Sequence, residues 1–450
     1  MNISGFLLSS SLLLGLGSAQ ETPAKASEIP APLQGCAKSS NYDGKGNFEL
    51  FGQDGFIFES PEFQDTYEFK GLDQLTLLVN TFRARGSELI LVPVPSRAIK
   101  YAGSLDLTSY PRLDFSSQKF VQSWDKMIAS ARGTGAHVVD LLPDILAFKP
   151  GARGEDFFYP RDHHWTTSGA EKAAQETADL IAGIIRDRQL ELPTKKGTLT
   201  LTRGSSFTGS YGKRFEDVCG QKLPQMTSYQ ARYEEENESL LGDEDDVIGI
   251  FGDSFGQGFP DSNFGPLLEY RTGLKTVNYS SAGAGPLLSL YGYLADPRVR
   301  EKLPKFIVVP FMGWLSNNAF DYNQATAALL SCTDRTRLAR VDYPAGQDKI
   351  TFGTLPQTAA RKLIHIHTNE TTNYLEVRGK YTDGSPMRWE NWRVSADYFR
   401  GSRNDFYSLA AVGRTPLEAS IAIDGRKPTA GYAEVCSVDV GNAEGALSSP

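Results

Sequence analysis

From residue 72 to about 330, short apolar runs alternate with stretches whose apolar positions recur every three or four residues. That rhythm predicts strands alternating with helices. Residues 72–85 have helical spacing and 88–94 form a continuous apolar run. Phe120, Val121, Trp124, Ile128 and Ala131 share one helical face, Gly133 and Gly135 end it, and 137–142 is the next strand. The spacing predicts a long helix over 168–186, with Ser168 and Glu171 as a capping box and Ala174, Ala178, Ile181 and Ile185 on its buried side. Residues 203–246 read as irregular and end in an acidic stretch, a solvated loop. Strands follow at 247–251, 276–279 and 305–311. Such alternation implies an α/β domain with a mostly parallel sheet covered on both faces, whose ligands collect at the carboxyl ends of the strands.

The period changes after Cys332. Short alternating runs at 349–353, 363–368, 373–379, 406–412, 419–424 and 432–436 are separated by turn residues, which predicts a β-sandwich. Near the start, 48–59 alternates about Gly52 and Gly55 as a hairpin would. Four hundred and fifty residues is too long for one ordinary core, so two domains are expected. Residues 1–19 carry no charged side chain, hold an apolar stretch, and end in Gly17-Ser18-Ala19, small residues suited to cleavage. This predicts a secretory signal peptide. The expected division is therefore 1–19 signal, 20–342 α/β domain beginning with an exposed leader, 343–438 β module, and 439–450 tail.

Composition refines this reading in three ways. A formal charge of −8 gives no basic face for nucleic acid. Within that total, residues 333–436 carry fifteen Lys/Arg against twelve Asp/Glu, so the β module is locally basic. The four cysteines, Cys36, Cys219, Cys332 and Cys436, are too far apart for a zinc site, and an exported chain favours disulfides. Three pairings are open. Cys36 with Cys219 and Cys332 with Cys436 is preferred, because it would put one bridge in each domain. No metal or cofactor is expected.

The candidate chemistry centres on Ser254, flanked by Gly252 and Gly256 at the end of a short apolar strand. A serine on such a turn is placed to act as a nucleophile if a base reaches it, although a glycine turn that happens to carry a serine is as common. Of five histidines, His137 lies in a strand pattern. His365 and His367 alternate along a strand of the β module, where they could bind a ligand or simply face solvent. His164 sits two residues after Asp162, so in an extended segment both side chains point the same way, and the carboxylate could orient the imidazole. The Asp-x-His pair precedes the serine by about ninety residues. In α/β-hydrolases the order is serine, acid, histidine, so that architecture is disfavoured.

Gly252-Asp253-Ser254 resembles the serine block of SGNH hydrolases, and Asp162-His163-His164-Trp165 is similar to their Asp/His block. The reversed block order, the signal peptide and the Cys-bounded β module together resemble the AlgX/AlgJ family of periplasmic alginate O-acetyltransferases, on the side of members that carry such a module. The resemblance implies a permuted SGNH hydrolase-like domain with a C-terminal β-sandwich carbohydrate-binding module, located in the periplasm. It implies Ser254 as acetyl-accepting nucleophile, His164 as general base and acid, and Asp162 as its orienting partner. It implies alginate (polymannuronate) as acceptor, with membrane proteins supplying the acetyl group and a periplasmic lipoprotein scaffold as neighbours. The chain itself is expected to act as a monomer.

The Ser254 N–H is the first oxyanion donor. The loop 280–286 offers Gly283 as a second, and a plain turn explains that loop equally well. Asn317 and Asn318 follow another strand with the same ambiguity. For a polyuronate, Arg388, Trp389, Trp392 and Arg393 supply two guanidiniums and two aromatics within six residues, with Lys380 and Thr382 nearby. Arg97, Lys100 and Tyr101 follow a strand of the α/β domain and could also face substrate. Two other functions compete with acetyl transfer. One is a secreted carbohydrate esterase using the same triad, and the other is a non-catalytic polysaccharide-binding scaffold of a secretion complex.

Overall fold

The first described elements, β1 (Glu49–Phe51) and β2 (Ile57–Glu59), form the hairpin that the alternation about Gly52 and Gly55 predicts. The computed structural model describes residues 49–52, 55–105, 113–192, 194–236, 247–261, 263–283, 285–314, 319–356, 360–392, 402–423 and 425–438. The expected signal peptide, Cys36, most of the acidic stretch before residue 247, Asn317, Asn318, Arg393 and the tail lie outside these residues. Among the described residues no helix is long and apolar enough to cross a membrane.

Helix α1 (Leu72–Ala84) buries Leu75, Leu78, Val79 and Phe82, one apolar stripe, and β3 (Glu88–Val94) is buried at every position. Helix α2 (Ser117–Gly133) starts where the Ser116 hydroxyl accepts the Lys119 N–H, and it buries Phe120, Trp124, Met127, Ile128 and Ala131. Strand β4 (His137–Val138) follows. The Ser168–Glu171 capping box does not form. Thr166 is the cap of α3 (Thr167–Arg188), its hydroxyl accepting the Gly169 N–H at 3.1 Å. With that cap supplied upstream, Ser168 Oγ instead donates to Glu155 at 2.8 Å, and Glu171 is held by Arg153 and Arg271. The stretch read as irregular is an antiparallel arm, β5 (Gly197–Phe207) and β6 (Met226–Glu235), enclosing α4 (Ser210–Cys219). Then come β7 (Ile248–Ile250), α5 (Ser254–Gln257), α6 (Phe264–Thr272), β8 (Thr276–Asn278), α7 (Leu288–Ala295), β9 (Phe306–Met312) and α8 (Ala319–Leu330).

The sheet order is β4-β3-β9-β7-β8, with every neighbour parallel. Succession from β3 runs outward to β4 and from β7 outward to β8, so the order reverses in the middle. Crevices open at such a reversal, at the carboxyl ends of the strands.

The C-terminal module is a sandwich of two antiparallel sheets. Its strands are β10 (Arg337–Tyr343), β11 (Lys349–Thr351), β12 (Arg361–Thr368), β13 (Tyr374–Tyr381), β14 (Pro386–Trp392), β15 (Asp405–Leu409), β16 (Pro416–Ile423) and β17 (Gly431–Val438). They form the orders β10-β17-β12-β15 and β11-β16-β13-β14. Strand β10 lies before the expected boundary at 343 but pairs with β17, so the sandwich begins with β10 at Arg337. The first sheet uses both faces. Ile364, Ile366, Phe406 and Val435 fill the sandwich core, while Leu363, Tyr407, Leu409 and Val438 join the core of the α/β unit. Tyr291 of α7 locks the seam: its hydroxyl accepts the Tyr407 N–H at 2.9 Å and the Asn391 side-chain amide at 2.6 Å. Cys332, just after α8, is bonded to Cys436 of β17. This bridge staples the seam between the units rather than the interior of one domain. Cys219 is also disulfide-bonded.

Candidate active site

The turn after β7 is held by its neighbours on both sides. Phe251 N–H donates to Val308 O at 2.7 Å, and Ser281 N–H donates to Gly252 O at 3.0 Å. A side chain at Gly252 would run into the Pro310 carbonyl of β9, and one at Gly256 into the Ser280 hydroxyl. The two glycines are thus required by close approach. Asp253 caps α5. Its buried carboxylate accepts N–H groups from Phe255 and from Met312 of β9, both at 2.9 Å, while burial holds its pKa above the ordinary value. Ser254 follows, half-buried, at the first position of α5.

Asp162 and His164 meet through a tight turn rather than the extended segment expected. Tyr159 N–H donates to His164 O at 3.1 Å, closing the loop, and Asp162 Oδ1 accepts both the His164 backbone N–H at 3.0 Å and Nδ1 at 2.5 Å. The other carboxylate oxygen accepts the N–H and hydroxyl of Ser210, at 2.7 and 2.8 Å. Burial opposes the Asp162 charge, but His164, His163 and the Ser210 N–H together hold its pKa well below the carboxylate range. Donation from Nδ1 to a carboxylate leaves the lone pair on Nε2, the tautomer a general base needs. That Nε2 is buried with no hydrogen-bond partner among the described residues. No hydrogen bond joins it to Ser254, and the imidazole packs on the rings of Phe255, the next residue, and Phe259, at 5.2 and 5.0 Å.

His163, the middle residue of the pair, bonds Tyr211 through Nδ1 at 3.0 Å. Burial, then the neighbouring His164 and the Arg97 and Arg214 charges, push its pKa from 6.5 down to about 3. The unfolded chain therefore takes a proton near pH 6.5 that the folded chain refuses. Stability from this group is complete above that pH and is lost as pH falls toward 3. In urea titrations His163→Gln should flatten the acid-side decline by up to about 1.4 kcal/mol per pH unit. An unchanged slope would show that His163 does not contribute.

Several expected substrate contacts are committed elsewhere. Arg97 is 0 % exposed. It pairs with Glu62 at 2.7 Å and donates to Tyr159 O at 2.7 Å and Pro160 O at 3.0 Å, so it props the Asp162 loop instead of facing polymer. Lys100 reaches Phe148 O at 2.7 Å and Asp156 at 3.2 Å, and Tyr101 is buried against Phe56. Trp389 belongs to the sandwich core. Trp392 is 56 % exposed and packs against Tyr374 at 4.2 Å. By register, Trp392 and Arg388 share the outer face of the second sheet with Arg378 and Lys380, where Lys380 pairs with Glu418 and Arg388 with Glu376 and Glu390. Thr382 is exposed beyond β13. Gly283 lies on an exposed turn with φ +72°, two residues beyond the Ser281 bond to Gly252. Ser210 and Tyr211 gave no signal, since their helix falls in the stretch read as irregular. A cleft of about 740 Å³ beside them is lined by Phe207, Ser210, Lys213, Lys222 and Phe259.

A family model described as an SGNH hydrolase-like domain, acetyltransferase AlgX, matches residues 50–311. Among curated relatives, the chain is 27 % identical over 256 residues to the alginate biosynthesis protein AlgX of Pseudomonas putida, covering 54 % of this chain and 50 % of that one. It is 25 % identical over 278 residues to the probable alginate O-acetylase AlgJ of the same organism, covering 58 % and 68 %. The chain thus spans about half the length of the AlgX proteins it matches first. The solved structure of Pseudomonas aeruginosa AlgX superimposes with a TM-score of 0.73 over 92 % of this chain and all of that one, at 19 % identity, which establishes the shared two-unit fold. With the family match spanning more than half of its length, the chain belongs to the AlgX family and carries its SGNH hydrolase-like domain.

Proposed function

We propose that the protein transfers an acetyl group through Ser254 to a hydroxyl of mannuronate residues in alginate, in the periplasm. The observation that carries this reading is the buried Asp162–His164 pair, whose Nε2 has no partner and whose ring packs on the residue after Ser254. A buried polar nitrogen without a partner is costly and is retained where it has work to do. Catalytic hydrogen bonds are often long before substrate binds. The AlgX family match and the AlgJ proteins named as probable alginate O-acetylases support acetyl transfer over other uses of such a site.

In the first half-reaction His164 Nε2 takes the Ser254 hydroxyl proton while Oγ attacks the acetyl carbonyl. The Ser254 N–H bonds the oxyanion, with Gly283 as a candidate second donor. Collapse breaks the bond to the leaving group, which receives the proton from His164, and acetyl-serine remains. In the second half a sugar hydroxyl gives its proton to His164, attacks the acetyl-serine, and leaves as the ester while Ser254 regains the proton. Asp162 keeps the imidazole in the required tautomer and steadies its transient charge.

The acceptor enters through the cleft beside Ser210 and Phe259, where Lys213 and Lys222, paired with Asp217 and Glu216 at rest, exchange those partners for uronate carboxylates. The sandwich offers Trp392, Tyr374, Arg378 and Arg388 on the sheet face turned away from the α/β unit. Trp392→Ala should weaken polymannuronate binding about fivefold, roughly 1 kcal/mol of lost stacking, without altering the melting temperature. Trp389→Ala should instead destabilise the sandwich by about 3–5 kcal/mol. Equal effects of the two variants on binding and melting would remove the distinction.

The direct test supplies a simple acetyl ester with mannuronate oligomers. Ester formation on the sugar, preceded by acetyl mass on the Ser254 peptide, is the expected result. Acetate release without sugar acetylation would make the protein an esterase, and neither product would make it a binding scaffold.

A further inference from the structure

His365 and His367 stand outside the acetyl-transfer chemistry. They lie two apart on β12 and share a face. Register sets Asp405 of β15 opposite His367 and Glu434 of β17 opposite His365. His365 Nε2 and His367 Nδ1 each lie 2.9 Å from the same oxygen, Asp405 Oδ1. His365 Nδ1 lies 3.1 Å from Glu434, and Ser402 donates its hydroxyl to the second Asp405 oxygen at 2.8 Å. Tyr407 stacks on His365 at 4.3 Å and Tyr432 on His367 at 4.8 Å, which fixes both rings.

We propose that His365 Nε2, His367 Nδ1 and Asp405 Oδ1 form a site for a divalent transition metal of the zinc class. One carboxylate oxygen faces two imidazole nitrogens, and bare lone pairs would repel there. Either both nitrogens carry protons at that point or one cation sits among the three atoms. The three atoms lie within 4.8 Å of one another. A tetrahedral ion about 2.0–2.1 Å from each ligand holds them roughly 3.3 Å apart, so each nitrogen–oxygen distance of 2.9 Å opens only slightly.

Two neutral imidazoles and one carboxylate suit zinc and disfavour magnesium or calcium, which take oxygen ligands. The outer contacts have the form metal-ligating histidines use. Glu434 takes the Nδ1–H of His365, which leaves Nε2 free to ligate, and Ser402 orients Asp405. Arg337 pairs with Glu434 at 2.7 Å and keeps that carboxylate in the supporting role. Cys332, also close to His365, is committed to its disulfide. A cleft of about 310 Å³ borders Asp405. It is lined by Ser402 and Asn404 of the sandwich and by Asp296 and Arg298 of the α/β unit. An ion here would tie β12 to β15 beside the seam between the two units.

The test strips the full-length protein with chelator and titrates zinc by calorimetry. About one equivalent is expected. It should be lost in His367→Ala and Asp405→Asn, weakened about 10–100-fold in Glu434→Gln, and kept in His164→Ala, which breaks the separate Asp162–His163–His164 cluster. Cobalt(II) on the wild type gives a reading independent of any variant's folding: tetrahedral visible bands are expected. No zinc bound by the folded wild type, or binding that survives His367→Ala, or binding lost in His164→Ala, overturns the proposal. So does a cobalt complex without tetrahedral bands.

Discussion

Ser254→Ala is expected to lower acetyl transfer to mannuronate oligomers by about a thousandfold or more, with the melting temperature unchanged. A thousandfold loss corresponds to about 4 kcal/mol of transition-state stabilisation. The estimate follows from the roles involved. Without Oγ there is no covalent intermediate, and what remains is binding and oxyanion donation. His164→Ala should cost a comparable factor, and the double variant little more than either single one, because nucleophile and base act as a unit. Asp162→Asn should also lose several orders of magnitude, since an amide does not hold Nδ1–H toward itself as a carboxylate does. It would in addition meet the two Ser210 donors at Oδ2 with one acceptor fewer. The measurement is initial acetylation rate together with the acetyl-serine burst. Ser254→Ala at wild-type rate would end the triad reading. The nucleophile would then be sought in Ser280 and Ser281, whose buried hydroxyls have no hydrogen-bond partner among the described residues.

How much of this was legible depended on how local the cause was. The parallel sheet could be read because β3 and β9 are buried nearly throughout and leave continuous apolar runs. Ser254, its glycines and the Asp162-x-His164 pair were visible because turn and spacing are local features. The arm β5–β6 is hard to read because it is a separate sheet: Thr198–Thr202 alternates, but no position of β5 is fully buried, and the pattern fades over the polar Arg203–Ser206. With it go Ser210 and Tyr211, which reach Asp162 and His163 respectively from forty-eight residues away in the chain. Strand β14 was read as a binding cluster for a related reason. Its tryptophans alternate, so Trp389 points into the core and Trp392 out of it, and only the pairing register reveals which is which. Arg97 was misplaced because a charged residue after a strand looks like a surface group. Its partner, Glu62, is thirty-five residues upstream and equally buried.

That buried pair should give one of the largest stability effects in the molecule. Arg97→Met is expected to destabilise the protein by about 3–5 kcal/mol, because it leaves the Glu62 carboxylate at 0 % exposure without a counter-charge. It also removes the donors to Tyr159 O and Pro160 O, the carbonyls just ahead of Asp162. Activity should therefore fall in kcat more than in KM, since the base is displaced while the acceptor cleft is not. Glu62→Gln should cost less, because the amide can still accept from the guanidinium while an uncompensated positive charge remains. The double variant Glu62→Gln with Arg97→Met should recover part of the loss, as removing both charges relieves the desolvation that either one alone suffers. Urea unfolding of the four proteins measures the cycle. A loss under about 1 kcal/mol for Arg97→Met would mean that water or a shifted cation reaches Glu62. In that case the backbone bonds of Ile57 to Pro160 O and Tyr211 to Arg161 O, with those of Ser210 and Tyr159, suffice to hold the loop carrying Asp162.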